Sequence, residues 1–93
     1  MQLGSRKHTV GNVTIYFVDY WRALREGDWI ASCSVTTSSA DTSITNVLIQ
    51  EGHVIQFTLS GGVLNEVFTV TVQATDNNSE ISNDTIDFNV VGP

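Results

Sequence analysis

The 93-residue chain contains one cysteine and one proline, and from Glu26 onward it has no lysine or arginine. A lone Cys33 excludes an intrachain disulfide. Set in Ala31-Ser32-Cys33-Ser34-Val35 with no basic neighbour, it reads as a buried, inert thiol. No stretch approaches the roughly 20 apolar residues of a membrane span. The polar, basic start from Met1 to Thr9 lacks the apolar core of a signal peptide. Synthesis in a reducing cytoplasm is therefore expected, with no membrane partner. His8 and His53 are far apart, so no shared metal centre is expected. No serine sits in Gly-x-Ser-x-Gly, and Ser60-Gly61-Gly62 lacks the lysine and helix of a phosphate loop. Paired carboxylates could exist, but so short a chain has little room to build a cleft around them. The expectation is a non-enzyme without catalytic residues, cofactor or metal. Asp76-Asn77-Asn78-Ser79-Glu80 and Asp84 are rich in oxygen ligands, yet they lack EF-hand spacing and read better as a polar turn.

Charge is sparse as well. Only 15% of residues are charged, against about 25% in ordinary globular chains. Threonine, serine and asparagine supply the polarity, and threonine suits the solvent face of a strand. Val67-Phe68-Thr69-Val70-Thr71-Val72-Gln73-Ala74-Thr75 alternates strictly, which places Phe68, Val70, Val72 and Ala74 on one buried face. Thr85 to Val91 repeats the pattern. Ile55, Phe57 and Leu59 alternate in the same way, and Glu51-Gly52 before them is a hairpin signal. Trp29 to Thr37 reads as a strand with Ala31, Cys33 and Val35 inward, and Val13 to Val18 as one apolar on both faces and covered on both. Asp19 to Gly27 is the one helix-like piece, with Asp19 as N-cap and Gly27 as terminator. The fold class is all-β: an immunoglobulin-like antiparallel β-sandwich of six to seven strands, with one short helical turn near residues 19–27. The expected organisation is an N-terminal arm over 1–11, dispensable for folding, and a sandwich domain over 12–93.

The net charge of −6 is unevenly spread: Arg6, Lys7, Arg22 and Arg25 all precede the acidic remainder. Such a body repels phosphate backbones, so nucleic acid is not an expected partner. The basic start could instead meet an acidic neighbour, including another copy of the chain. Tyr16, Phe17, Tyr20, Trp21 and Trp29 form the most distinctive cluster, rimmed by Arg22 and Arg25. Part of it can cap the core while part forms a docking patch, because Trp, Tyr and Arg dominate interface hot spots. The candidate interface is therefore Arg6, Lys7, Tyr20, Trp21, Arg22, Arg25 and Trp29.

Asp19-Tyr20-Trp21-Arg22-Ala23-Leu24-Arg25-Glu26-Gly27-Asp28-Trp29-Ile30-Ala31-Ser32 is similar to a segment of small immunoglobulin-like proteins of tailed bacteriophages. There it reads Asp/Tyr-Trp-x-x-x-Leu-x-x-Gly-Asp-x-Ile-Ala-Ser. A Ser/Thr-rich strand, a Leu-Ser-Gly-Gly turn (Leu59 to Gly62) and a Thr/Val strand (Phe68 to Val72) follow in the same order. The resemblance spans residues 17–91 and departs from the pattern at the last hairpin, where a basic loop is replaced by acidic Asp76 to Asp84. It implies a virion component, either a fibre-to-tail adaptor at the tail or neck or a capsid decoration protein. The implied partners are other virion proteins (tail, neck, fibre or capsid) and copies of the chain itself in a symmetric assembly. The alternative of another class is a carbohydrate-binding module with Trp21 or Trp29 stacked on a sugar.

Overall fold

The computed structural model describes residues 1–93. Seven strands follow one another: β1 (Gln2–Thr9), β2 (Val13–Asp19), β3 (Ile30–Thr37), β4 (Thr42–Gln50), β5 (Val54–Gly61), β6 (Val67–Asp76) and β7 (Ile81–Val91). They form a four-stranded sheet in the order β1-β7-β6-β3 and a three-stranded sheet in the order β2-β5-β4. This is the expected all-β, immunoglobulin-like sandwich.

Alternation places the core. Phe68, Val70, Val72 and Ala74 of β6 are buried, as are Ile55, Phe57 and Leu59 of β5 and Ile86, Phe88 and Val90 of β7. Phe68 lies opposite Phe88 in the β6–β7 ladder, and their rings stack with centroids 5.4 Å apart. Tyr16 of β2 meets Phe88 edge-on at 5.0 Å and Phe57 at 5.7 Å, which ties the two sheets together. Each such aromatic pair adds about 0.5–1.5 kcal/mol beyond its buried area. The polar face of β6 and β7 pairs across strands, with Thr69 Oγ1 donating to Asp87 Oδ1 at 3.0 Å.

The Glu51-Gly52 connection has positive φ at both residues (53° and 75°), the signs of a type I′ turn, and the His53 N–H donates back to the Gln50 carbonyl. Gly61 is the other obligatory glycine. Its φ is 87°, and a Cβ there would run into the Asp41 carbonyl.

Two expectations change. Residues 1–11 read as an arm, but Gln2–Thr9 pairs in parallel with β7, so the four-stranded sheet is mixed rather than purely antiparallel. His8 is 1% exposed opposite Val90, and removing this strand would uncover the core. In β3, Ala31 is exposed while Ile30 is buried. The ladder gains an extra residue between Ile30 and Ser32, and this bulge resets the inward phase to half-buried Cys33 and Val35. Burial pushes the Cys33 thiol above its usual range. Asp19 to Gly27 makes the expected short helical turn and no more. The Ala23 and Leu24 N–H groups both bond the Tyr20 carbonyl, and Gly27 (φ 81°) ends the segment.

That turn is anchored by Tyr20, which is 6% exposed. Its hydroxyl donates to Asp84 Oδ2 at 2.8 Å, also buried, across the sandwich. Burial, reinforced by this bond to a carboxylate, holds the phenol far above its ordinary range. Tyr20→Phe leaves a buried carboxylate oxygen without its donor, and hydrogen bonds to charged groups contribute about 1.5–3 kcal/mol. The expected outcome is a loss of that size in urea unfolding at neutral pH. A change below about 0.5 kcal/mol, the range of inert surface substitutions, would contradict this anchor.

Candidate docking surface

β2 is where the sequence leaves most apolar surface in water. Inward Thr14, Tyr16 and Val18 alternate with Val13, Ile15 and Phe17, whose exposures are 71%, 52% and 59%. Across the same outer face, Phe17 lies opposite Gln56 of β5, which lies opposite Leu48 of β4, itself 49% exposed. Leu48 faces outward because β4 carries a bulge between Thr45 and Leu48, with Asn46 at φ 52°. Ser43, Thr45, Thr58 and Ser60 also lie on this face, with half-buried Val54 at its end. An apolar stripe thus runs along β2 on a face that is mainly polar apart from Leu48 and Val54. On the outer face of the other sheet, Thr69, Thr71, Gln73 and Asn89 separate two exposed apolar residues, Val67 and Ile81, which stand singly at opposite ends and form no stripe.

The stripe ends in a polar-aromatic knot. Asp19 Oδ1 accepts the Trp21 N–H at 2.9 Å and lies 2.9 Å from His53 Nδ1, while His53 Nε2 is 3.6 Å from Glu51 Oε2. The backbone bond from Trp21 and then the His53 contact hold the Asp19 carboxyl below its usual range. Trp21 packs edge-on against the His53 ring at 4.9 Å and is 67% exposed. Trp29 is 52% exposed beside the hairpin tip, where a Cβ on Gly52 would come within 3.1 Å of its own Cβ. Neighbouring backbone bonds fix this end: Tyr20 N–H to the His53 carbonyl and Ile30 N–H to the Gly52 carbonyl, both at 2.7 Å. The Asp28 carboxylate accepts from the side-chain amides of Asn77 and Asn78, and Asn77 Oδ1 accepts the Trp29 N–H. Asp76 Oδ1 accepts the Asn78 and Glu80 N–H groups. The oxygen-rich turn therefore spends its acceptors on its own backbone and on the Asp28–Trp29 segment.

Of the residues expected at an interface, Trp21 and Trp29 are exposed at this end, and Arg22 is exposed with them. Arg25 is exposed and paired with Glu80 at 2.9 Å, an arrangement worth about 0–1 kcal/mol. Arg6 and Lys7 lie on β1, and Arg6 lines an opening beside β2 that reaches Asp19. Tyr20 is buried and cannot contact a partner. Val13, Ile15 and Leu48 were not expected there, and Phe17 was expected only as a member of the aromatic cluster. The signal was present in the two-sided apolar pattern of Val13 to Val18: one side packs on the core, and the other is left uncovered by this chain.

Comparison with known proteins adds identity to this geometry. The profile of the family described as podophage GP4 fiber-tail adaptor protein gp77 matches residues 9–89. A search of curated proteins gives no match. Among solved structures, the chain is similar to the 2,6-sialyltransferase of Vibrionaceae Photobacterium sp. JT-ISH-224, crystallised with CMP and lactose. The TM-score is 0.55 at 11% identity, over 100% of this chain and 18% of that one. At that identity the likeness concerns the fold alone. The chain belongs to the podophage fibre-tail adaptor family, on a match covering most of its length.

Because Ile15 and Phe17 lean into water, exchanging both for threonine keeps strand propensity and removes little packing. The double variant is expected to unfold within about 1 kcal/mol of the parent and to bind a hydrophobic dye such as ANS less strongly. Undiminished dye binding would mean that the stripe is not the accessible apolar surface.

Proposed function

We propose that this chain is a non-enzymatic structural protein of a phage virion, an adaptor that joins a fibre to the tail. The observation that carries this reading is the family match over residues 9–89. The geometry is compatible with a joining role. The core is tightly interlocked, the apolar stripe of β2 offers a contact face, and Trp21 and Trp29 are exposed at one end of the sandwich. An exposed apolar stripe rimmed by polar residues marks an interaction site more often than a plain surface does. Its partners are other virion proteins, chiefly tail and fibre. Copies of itself in a closed ring would suit a chain whose basic residues precede its acidic body. Synthesis in the host cytoplasm precedes assembly, and the net charge of −6 disfavours nucleic acid.

A second reading has one observation in its favour. Trp21 lines an open dish of about 450 Å³ with Leu24, Arg25, Glu26 and Asp28, an aromatic platform beside charged groups of the kind that holds a sugar. Titration with host-surface oligosaccharides, followed by tryptophan fluorescence, is expected to give a flat response. Saturable quenching lost in Trp21→Ala would favour the sugar-binding module instead.

The adaptor reading is tested by the copy number per purified virion, measured by quantitative mass spectrometry against the major capsid protein. A count matching one small ring is expected. A count that tracks the capsid lattice would make the chain a decoration protein, and absence from particles would remove both roles.

A further inference from the structure

Each sheet ends in two edge strands, and edges with unpaired N–H and C=O groups are what proteins normally disguise. Three of the four edges here are disguised. β1 gains an extra residue between Gln2 and Ser5 and carries Arg6 and Lys7. β3 is bulged between Ile30 and Ser32, and β4 between Thr45 and Leu48. β2 is different. Its pairing with β5 runs without a register break from Val13 to Asp19, and it carries no proline, no lysine and no charge before Asp19. Since the Tyr20 N–H bonds the His53 carbonyl, the alternation of antiparallel pairs turns the backbone groups of Ile15 and Phe17 to the free side. Four strands also face only three, so β1 has no strand opposite it. Beside β2 this leaves a slot of about 190 Å³ lined by Leu3, Arg6, Tyr16, Phe17, Ile86 and Phe88.

The slot carries one unanswered charge. Arg6 lies beside Phe88 in the parallel ladder, so its side chain shares the inward face of the sheet and reaches the slot. It is close enough to Tyr16 to oppose part of the rise that burial gives that phenol. Arg25 pairs with Glu80, whereas Arg6 has no carboxylate within ion-pair distance. Asp19, at the end of the slot, is already held by His53 and the Trp21 N–H. An inward-pointing charge keeps wholly apolar strands away and admits one that brings a carboxylate.

We infer that β2 is a strand-accepting edge, and that its occupant is an extended segment of a partner protein that adds beside β2. That segment places apolar side chains in the slot and an acidic residue, two positions from an apolar one, against Arg6. The backbone of Ile15 and Phe17 supplies the pairing, the slot supplies the fit, and Arg6 selects by charge. The inference rests on the adaptor reading for the source of the segment, which lies in the tail and fibre proteins of the same virion.

The test titrates the full chain with overlapping 15-residue peptides covering those proteins, followed by fluorescence polarisation and amide hydrogen exchange. Bound peptides are expected to share the apolar-x-acidic spacing and to slow exchange at Ile15 and Phe17. Arg6→Glu is expected to weaken them at least tenfold, and replacing the peptide's acid by lysine to restore binding to that variant. No bound peptide, binding indifferent to Arg6→Glu, or unchanged exchange at Ile15 and Phe17 would each overturn the inference. So would a dimer of the free chain, seen by sedimentation, that protects those two amides, because it would give the edge to a second copy. A chain that counts as a ring component yet fails here loses this inference alone. Absence from the virion removes the adaptor reading itself.

Discussion

Four strands packed on three cannot cover each other, and most of what distinguishes this sandwich follows from that mismatch. One lateral side is closed where β3 meets β4. The other is spanned by side chains: His8 Nδ1 of β1 lies 3.1 Å from the Tyr16 hydroxyl of β2, and Tyr16 in turn packs on Phe88. His8 Nε2 has no partner, a polar atom buried without compensation at the side where a strand is missing. Phe88 and Ile86 are nonetheless buried, because Tyr16 and Leu3 lean over them. The core is covered within one chain while one layer stays incomplete.

The surface chemistry is consistent with one side kept for contact. On β6 and β7 the outer positions are mostly Thr, Gln, Asn and Asp, bonded across strands, with Val67 and Ile81 exposed singly at opposite ends of the ladder. On β2 they are Val13, Ile15 and Phe17. Arg6 and Lys7 stand on β1 at the open side, while Asp28, Asp76 and Glu80 cluster near the Trp29 turn, where Arg25 pairs with Glu80. Hot spots in protein interfaces combine aromatic rings with arginine, and Arg6 lines the slot with Tyr16 and Phe17. The acidic turn does internal work instead, since its oxygens cap backbone N–H groups.

The core was legible because its strands obey period two: the inward sets of β5, β6 and β7 are the residues the alternation selects. Legibility ended where the period slips. The bulges at Ile30–Ser32 and Thr45–Leu48 shift the phase by one residue, which exposes Ala31 and turns Leu48 outward. β1 was hidden for a different reason. Gln2-Leu3-Gly4-Ser5-Arg6-Lys7 has no apolar alternation, because its order comes from pairing with β7, and pairing leaves no mark on composition. Tyr20 looked like a docking residue from its type, but Asp84, 64 positions away, draws it inward. At the candidate surface, the sequence grouped the aromatic residues but left open which of them face out, whereas the open edge of β2 is a property of sheet order.

The most direct measurement is an electron cryo-microscopy map of the intact virion at side-chain resolution around this chain. A strand from another protein is expected to lie against β2, with a carboxylate on Arg6. A map in which the β2 edge faces solvent, while the chain is held through a different surface, would contradict it.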